Sequence, residues 1–403
     1  MTDVSLDAPV LASRASPAVG INVKISAAAA TLLAVGTLAL AATVSWRQGA
    51  LYLVGGALGI TLYHALFGFT SAWRIFISHR RGVGLRAQMI MLTAAVLLFY
   101  PSLARGTLLG QPVHGEYGAV GIGMLTGAFL FGVGMQLGGG CASGTLYSAG
   151  GGNTRMLATL VAFIAGSTLG GRDLPWWSAQ PNIGSVSLIE EFGWLPAVVL
   201  NLAVIACIYL LTVSLERARH GVLIADAMTQ HRGWRRVVQG PWPLTAGAIL
   251  LALGNFATLY LAGRPWGITS ALALWGSKVI AALGVDVASW PYWQGARAAS
   301  LQQSVFYDIT SVMDFGIMIG ALLAAGLAGK FHPEWKIAPL SLLGALVGGL
   351  LLGYGARLAY GCNIGAYFSG VASGSLHGWC WLVAAFLGSI LGTRLRPLFG
   401  LGV

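Results

Sequence analysis

Residues 123–148 read GMLTGAFLFGVGMQLGGGCASGTLYS, and residues 344–369 read GALVGGLLLGYGARLAYGCNIGAYFS. Set at a constant offset of 221, eleven of 26 positions are identical, among them Gly140/Gly361, Cys141/Cys362 and Gly144/Gly365. Glycine-rich apolar helices coincide by composition, but a paired Gly-Cys-x-x-Gly at one register is hard to reach that way. Each stretch begins as an apolar helix and then meets glycines, each of which costs up to ~1 kcal/mol relative to alanine inside a helix. A membrane crossing should therefore break at each Gly-Cys-x-x-Gly turn and continue as a short helix. Lipid offers broken backbone no hydrogen bonds, so such a turn persists only inside protein or beside a watery cavity.

The rest of the chain fits this reading. It has 403 residues, 56% hydrophobic and 9% charged, with mean hydropathy +0.76. A soluble domain carries roughly a quarter charged residues. Runs at 25–46, 118–137, 195–214, 242–262, 306–327 and 338–358 approach the ~20 apolar residues that span a bilayer. Shorter runs at 87–100, 156–169 and 377–391 read as crossings surrounded by protein, and 52–69 as one broken near its end by glycines and His64. Residues 1–23 are polar and mixed in charge, without a secretory pattern.

The duplication extends beyond the two cysteine turns. Gly166-Ser-Thr-Leu-Gly170 matches Gly388-Ser-Ile-Leu-Gly392, and upstream Gly68-Phe-Thr-Ser-Ala72 matches Gly267-Ile-Thr-Ser-Ala271. Each unit reads as crossing, short helix, crossing, crossing, cysteine turn with short helix, crossing. One further span lies between the units, so the second enters the membrane upside down, the plan of many secondary transporters. The expected fold is an all-α integral membrane protein of about ten transmembrane helices plus short re-entrant helices, in two inverted repeats. Its parts are a cytoplasmic tail (1–24), an extra helix (25–46), the first repeat (47–172), a linking loop, helix and basic loop (173–241) and the second repeat (242–397).

The net charge of +11 would suggest nucleic acid in a soluble protein. Here most Lys and Arg fall in short loops beside apolar spans, where they orient the chain with both termini cytoplasmic. Residues 79–81 with Arg86, residues 217–236, Lys330 with Lys336, and Arg394 with Arg396 fall on one side. Asp173, Glu190, Glu191 and the Trp-rich stretch 264–304 fall on the other. No nucleic-acid partner is expected, only the lipid bilayer and a small anion.

Among the four cysteines there is no C-x-x-C and no metal-ligand spacing, so neither disulfides, a metal nor a cofactor is expected. No P-loop, H-E-x-x-H or G-x-S-x-G pattern is present, and the chain reads as a carrier, not an enzyme. Helix starts after Cys141 and Cys362 carry partial positive charge, a place for an anion. A thiol is a weak donor suited to a soft terminal sulfur, and oxygens of the same anion would take backbone N–H groups, Ser143, Thr145 or Asn363. Gly140, Gly361, Gly144 and Gly365 shape those turns. Arg357 lies five residues before Cys362, where the first unit has Gln136, and would draw an anion into an outer funnel. Asp308 and Asp314 open a crossing, as helix caps or as a coupling site. Cys207, in the run AVIACIYLL, reads as a small hydrophobe of an apolar helix; Cys380 stays a candidate.

At the paired Gly-Cys-x-x-Gly turns, with Gly263-Arg-Pro-Trp-Gly-Ile-Thr-Ser270 and Asp308-Ile-Thr-Ser-Val-Met313, residues 50–395 resemble the YeeE/YedE family of bacterial sulfur-transport membrane proteins. The resemblance implies an hourglass-shaped inner-membrane carrier, its central cysteines, here Cys141 and Cys362, contacting thiosulfate in relay. A cytoplasmic sulfurtransferase is the expected acceptor. Relatives often carry a further cysteine where this chain has Gly68-Phe-Thr and Gly267-Ile-Thr, so a third relay position would fall to Cys380 or Cys207. Two alternatives stand beside thiosulfate uptake: a selenium-compound carrier of the same fold, and a membrane sulfurtransferase or redox subunit that forms a persulfide.

Overall fold

A computed structural model describes residues 20–224 and 233–402. Most of the expected N-terminal tail and the middle of the basic loop lie outside them. Ten helical segments among the described residues are long and apolar enough to cross a membrane. The chain is an all-α integral membrane protein.

In order the helices are α1 (Val23–Thr43), α2 (Trp46–His64), α3 (Phe69–His79), α4 (Val83–Arg105), α5 (Ile122–Gly138), α6 (Ala142–Gly150), α7 (Thr154–Ser178), α8 (Leu188–Phe192) and α9 (Trp194–His220). Then come α10 (Trp234–Gln239), α11 (Leu244–Ala262), α12 (Thr269–Ala282), α13 (Ala298–Gln302), α14 (Ile309–Leu327), α15 (Pro339–Leu358), α16 (Ser369–Ala372) and α17 (Leu376–Leu395). The first crossing thus ends before residue 46, and the second starts there, capped by Ser45. Two small antiparallel ribbons were not legible in the apolar pattern: β1 (Thr107–Leu108) with β2 (Gln111–Pro112), and β3 (Ala119–Gly121) with β4 (Asn182–Ser185).

Packing shows how the halves relate. α7 packs on α15 as α17 packs on α5; α2 on α14 as α11 on α4; α6 on α14 as α16 on α4; α12 on α7 as α3 on α17. Each contact recurs with equivalent helices exchanged, and α5 meets α15 across the centre. Crossings α2, α4, α5, α7 and α9 precede α11, an odd number, so α2 and α11 run in opposite directions. We name the face where α1 starts and α17 ends the terminal face, and the other the distal face.

Close approach is what the glycines permit. A Cβ on Gly348 would strike the backbone of Gly138 and Gly134, and one on Gly355 the backbone of Gly127 and Phe131. Association of helices in lipid draws on van der Waals packing and is strongest where small residues let backbones meet. α1 and α9 are instead mostly exposed along their lengths, with Leu32, Val35, Leu38, Val199, Leu210 and Leu211 turned outward, as a lipid-facing belt requires. α9 is tied inward at the terminal face, where the buried Glu216 carboxylate accepts from Arg86 at 2.5 Å and from the Gly82 and Ile224 N–H groups. Arg86, expected as a loop charge, is thereby paired, because α4 starts beside α9 and its guanidinium turns inward.

Candidate functional site

The first cysteine turn is built by the way α5 ends. Gly139 closes that helix in the left-handed region at φ 90°, which glycine adopts without strain. Its last carbonyls, on Gln136, Leu137 and Gly138, are taken by Arg396 and by two arms of Arg155. Cys141 then caps α6: its Sγ accepts from the Gly144 N–H at 3.5 Å and lies 3.3 Å from Ser143 Oγ. Thr145 Oγ1 donates to the Cys141 carbonyl at 2.8 Å, so that hydroxyl proton is committed to holding the turn.

The second turn repeats the plan with one difference. Tyr360, at φ 60°, and Gly361 lead into Cys362, whose Sγ accepts from the Ile364 N–H at 3.4 Å. After this cysteine the chain forms a π-helical turn, residues Asn363–Phe368, and runs into α16. The Cys362 carbonyl accepts from both Ala366 and Tyr367, the wider spacing of a π turn. Asn255 fastens this turn in place: its amide donates to Ser369 Oγ and accepts from the Trp266 N–H, while Ser369 donates to the Trp266 carbonyl. Gly267 is thereby set against Gly365, whose Cβ would lie 3.8 Å from the Gly267 Cα.

The two turns meet. α6 touches the π-helical turn, and both cysteines, 1% and 0% exposed, sit in one apolar cluster. Aromatic rings of Trp73, Phe131, Tyr367 and Trp381 belong to the same cluster, Tyr367 stacked on Trp381 at 6.3 Å. Inside this dry region several polar groups have no partner: both ends of the Asn363 amide, the Tyr367 hydroxyl, Thr70 Oγ1, Gln136 Oε1 and both oxygens of Asp314. Buried polar groups are nearly always hydrogen-bonded, so this group of orphans leaves hydrogen-bonding capacity that a polar ligand, an ion or water can fill.

The meeting of the two turns closes the middle of the molecule, and we call it the seal; cavities approach it from both faces. On the distal side a cavity of 330 Å³ ends on Gly267, Gly361 and Gly365. Its walls carry Arg264, Arg297 and Arg357 against Glu116 and Asp308. Arg357 is buried; its guanidinium donates to the Tyr292 hydroxyl and, at 2.8 Å, to Thr269 Oγ1, and its Nε is unpartnered. Asp308 caps α14 by accepting from Ser311, as expected of one carboxylate at a helix start. Burial pushes the Glu116 carboxyl above the usual carboxylate range, against the pull of Arg264, His114, Arg357 and Arg297. The cavity is therefore net positive. On the terminal side, one cavity of 720 Å³ carries Arg155, Lys330, His332 and Lys336 and reaches Tyr147 and Ser148 of α6, and a second of 320 Å³ reaches Gly68 and Ser71.

Of the sequence-predicted residues, Cys141, Cys362, Gly140, Gly361, Ser143, Gly144, Thr145, Asn363 and Gly365 are brought together, and Arg357 stands at the distal approach. Cys380 is not among them. It lies half-buried on α17, packed against the outside of the apolar cluster beside the fully buried Trp381. Cys207 is exposed on α9, where lipid lies. Sequence reasoning missed Thr269, Tyr292 and Arg155. Thr269 had a signal in its repeat partner Thr70: the Thr70 carbonyl accepts from Gln136, as Thr269 Oγ1 accepts from Arg357.

The profile of the family described as "Sulphur transport" matches residues 64–391, a span that contains both cysteine turns and the distal cavity. The chain belongs to this sulphur transport family. It is 27% identical over 360 residues to the thiosulfate transporter TsuA of Spirochaeta thermophila, covering 84% of this chain and 95% of that protein. Against the Escherichia coli thiosulfate transporter TsuA it is 25% identical over 349 residues, 83% and 91% of the two chains. The Escherichia coli probable transporter YedE is 32% identical over 158 residues, a match that spans 38% of this chain and only 39% of that relative. The family and these relatives are named for transport, not for catalysis.

Proposed function

We propose that the chain takes up thiosulfate across the bacterial inner membrane, with the distal face periplasmic and both ends of the chain cytoplasmic. The orientation rests on the Lys and Arg of the terminal face, where Arg80, Arg81, Arg217, Arg219, Arg235, Lys330, Lys336 and Arg394 gather. The observation that carries the function is the meeting of two repeated cysteine turns, ringed by unpartnered polar groups, between a cationic cavity on one face and cavities on the other. A dianion gathers in the distal cavity beside Arg264, Arg297 and Arg357. At the seal its terminal sulfur meets the S–H groups of Cys362 and then Cys141. Its oxygens meet the Asn363 amide, Ser143 and backbone N–H groups. It leaves past Tyr147 into the terminal cavities, toward an acceptor such as a sulfurtransferase. The names of the two TsuA relatives support thiosulfate over other sulfur anions.

Flux into liposomes reconstituted with the protein, measured for thiosulfate, sulfite, sulfide, sulfate and selenite, tests this. Thiosulfate should enter fastest and selenite compete weakly; selenite moving in preference would assign the chain to selenium transport. A persulfide-forming role predicts a lasting adduct of one sulfur atom on Cys141 or Cys362 in the mass spectrum of thiosulfate-treated protein, and relay predicts none.

A further inference from the structure

Asp314 is unexplained by anion binding alone. It sits in the second turn of α14, past the capping position, fully buried, with neither carboxyl oxygen hydrogen-bonded. Side chains four residues apart share a helix face, about 6 Å along the axis. One such step toward the distal face, Thr310 accepts from Arg264 and Ser270 at the cavity wall. One step toward the terminal face, Met318 lies against Gly150, next to Gly151 and Gly152 of the terminal cavity. Asp314 therefore stands between the two cavities.

We propose that Asp314 carries a proton through the seal and couples each anion's passage to one proton moving the same way, an inference that rests on the proposed transport function. A carboxylate buried without a donor is costly, and a second negative charge would bar a dianion from the same narrow place. With its proton on, the acid is neutral and donates its O–H to a sulfonate oxygen. Once the anion reaches the terminal cavity, the carboxyl O–H bond breaks and the proton passes to water there. The carboxylate left behind repels the next anion until a proton from water of the distal cavity restores the O–H bond.

Few other titratable groups compete for this role. Among helices packed on α14, Tyr52 of α2 donates to the Leu32 carbonyl, His64 lies against Trp242, and Tyr63 opens on the terminal cavity. Lys278 of α12 is held by the Leu301 and Gln303 carbonyls, Lys24 of α1 is exposed, and Arg236 of α10 donates to Pro241 while Arg235 is exposed. Arg47, at the start of α2, donates to Gln111, and Tyr307, just before α14, is exposed. That leaves Asp308, bound to Ser311, and the neutral hydrogen-bond donors Cys362, Cys141 and Tyr147.

The test is thiosulfate uptake into liposomes holding a trapped pH dye. The wild-type protein should acidify the lumen in step with uptake, about one proton per anion, and an acidic exterior should speed uptake. At saturating thiosulfate, where affinity in the distal cavity no longer limits uptake, Asp314→Asn should still exchange labelled thiosulfate, more slowly, with lumen acidification and stimulation by external acid both lost; Asp314→Glu should keep both. Wild-type uptake without acidification, uptake that requires sodium instead, or Asp314→Asn acidifying at the wild-type ratio would overturn the coupling role. Wild-type protein that moves no thiosulfate at all would instead overturn the transport function, and the coupling with it.

Discussion

At the scale of single residues, chemically similar groups carry unequal weight. Cys141 and Cys362 cap the turns at the seal, whereas Cys207 is exposed on α9 and Cys380 is half-buried on α17 outside those turns. Alanine at Cys207 should leave thiosulfate uptake within about twofold of wild type. Arg357→Gln copies the residue of the first unit. It should raise the KM for uptake about tenfold, the equivalent of roughly 1.4 kcal/mol, with less effect on maximal rate, because on the proposed route the arginine gathers the anion ahead of the seal. Glu116 gives the distal cavity a pH dependence of definite sign. Its raised carboxyl keeps its proton to a higher pH than a free glutamate, so the cavity is most positive below that transition. It loses positive potential as pH rises through it. Affinity for thiosulfate should fall over that range in wild type, and Glu116→Gln should flatten the fall. The cysteines were legible because they recur in register; the hydroxyls that position Arg357 were not, since a lone Tyr292 in a loop and Thr269 in a short helix carry no strong pattern of their own.

At the scale of elements, stability rests on close helix pairs and a few buried polar ties. Gly348→Leu would press α15 off α5 at Gly138 and should cost at least about 1–3 kcal/mol, as overpacking does, read as a lowered melting temperature in detergent. Glu216→Gln removes the charge that Arg86 and two backbone N–H groups share. Breaking a buried pair on one side costs about 3–5 kcal/mol, so this variant should release the terminal-face end of α9 and expose residues there to protease. The crossings were readable from apolar length, and the breaks from glycine clusters. The β3–β4 ribbon and the π-helical turn were not, because each depends on partners distant in sequence: β3 finds β4 only beyond α5, α6 and α7, and the π turn is fixed by Asn255 and Trp266.

At the scale of the whole molecule, duplication supplies the architecture and its small departures supply direction. Equivalent helices exchange partners across the centre, so each turn arrives at the seal from an opposite start. Yet the distal approach holds Arg357 where the terminal approach holds the neutral Gln136, and Asp314 on α14 has no acidic counterpart on α4. Those asymmetries would invite the anion from one face and tie its passage to a proton. Everything depends on the two thiols forming the anion's route. Uptake of labelled thiosulfate by liposomes containing wild-type, Cys141→Ala or Cys362→Ala protein tests this most directly. Each alanine variant, folded as judged by its elution and melting temperature, should lose at least about tenfold in uptake; uptake at the wild-type rate in either would contradict a thiol-lined route.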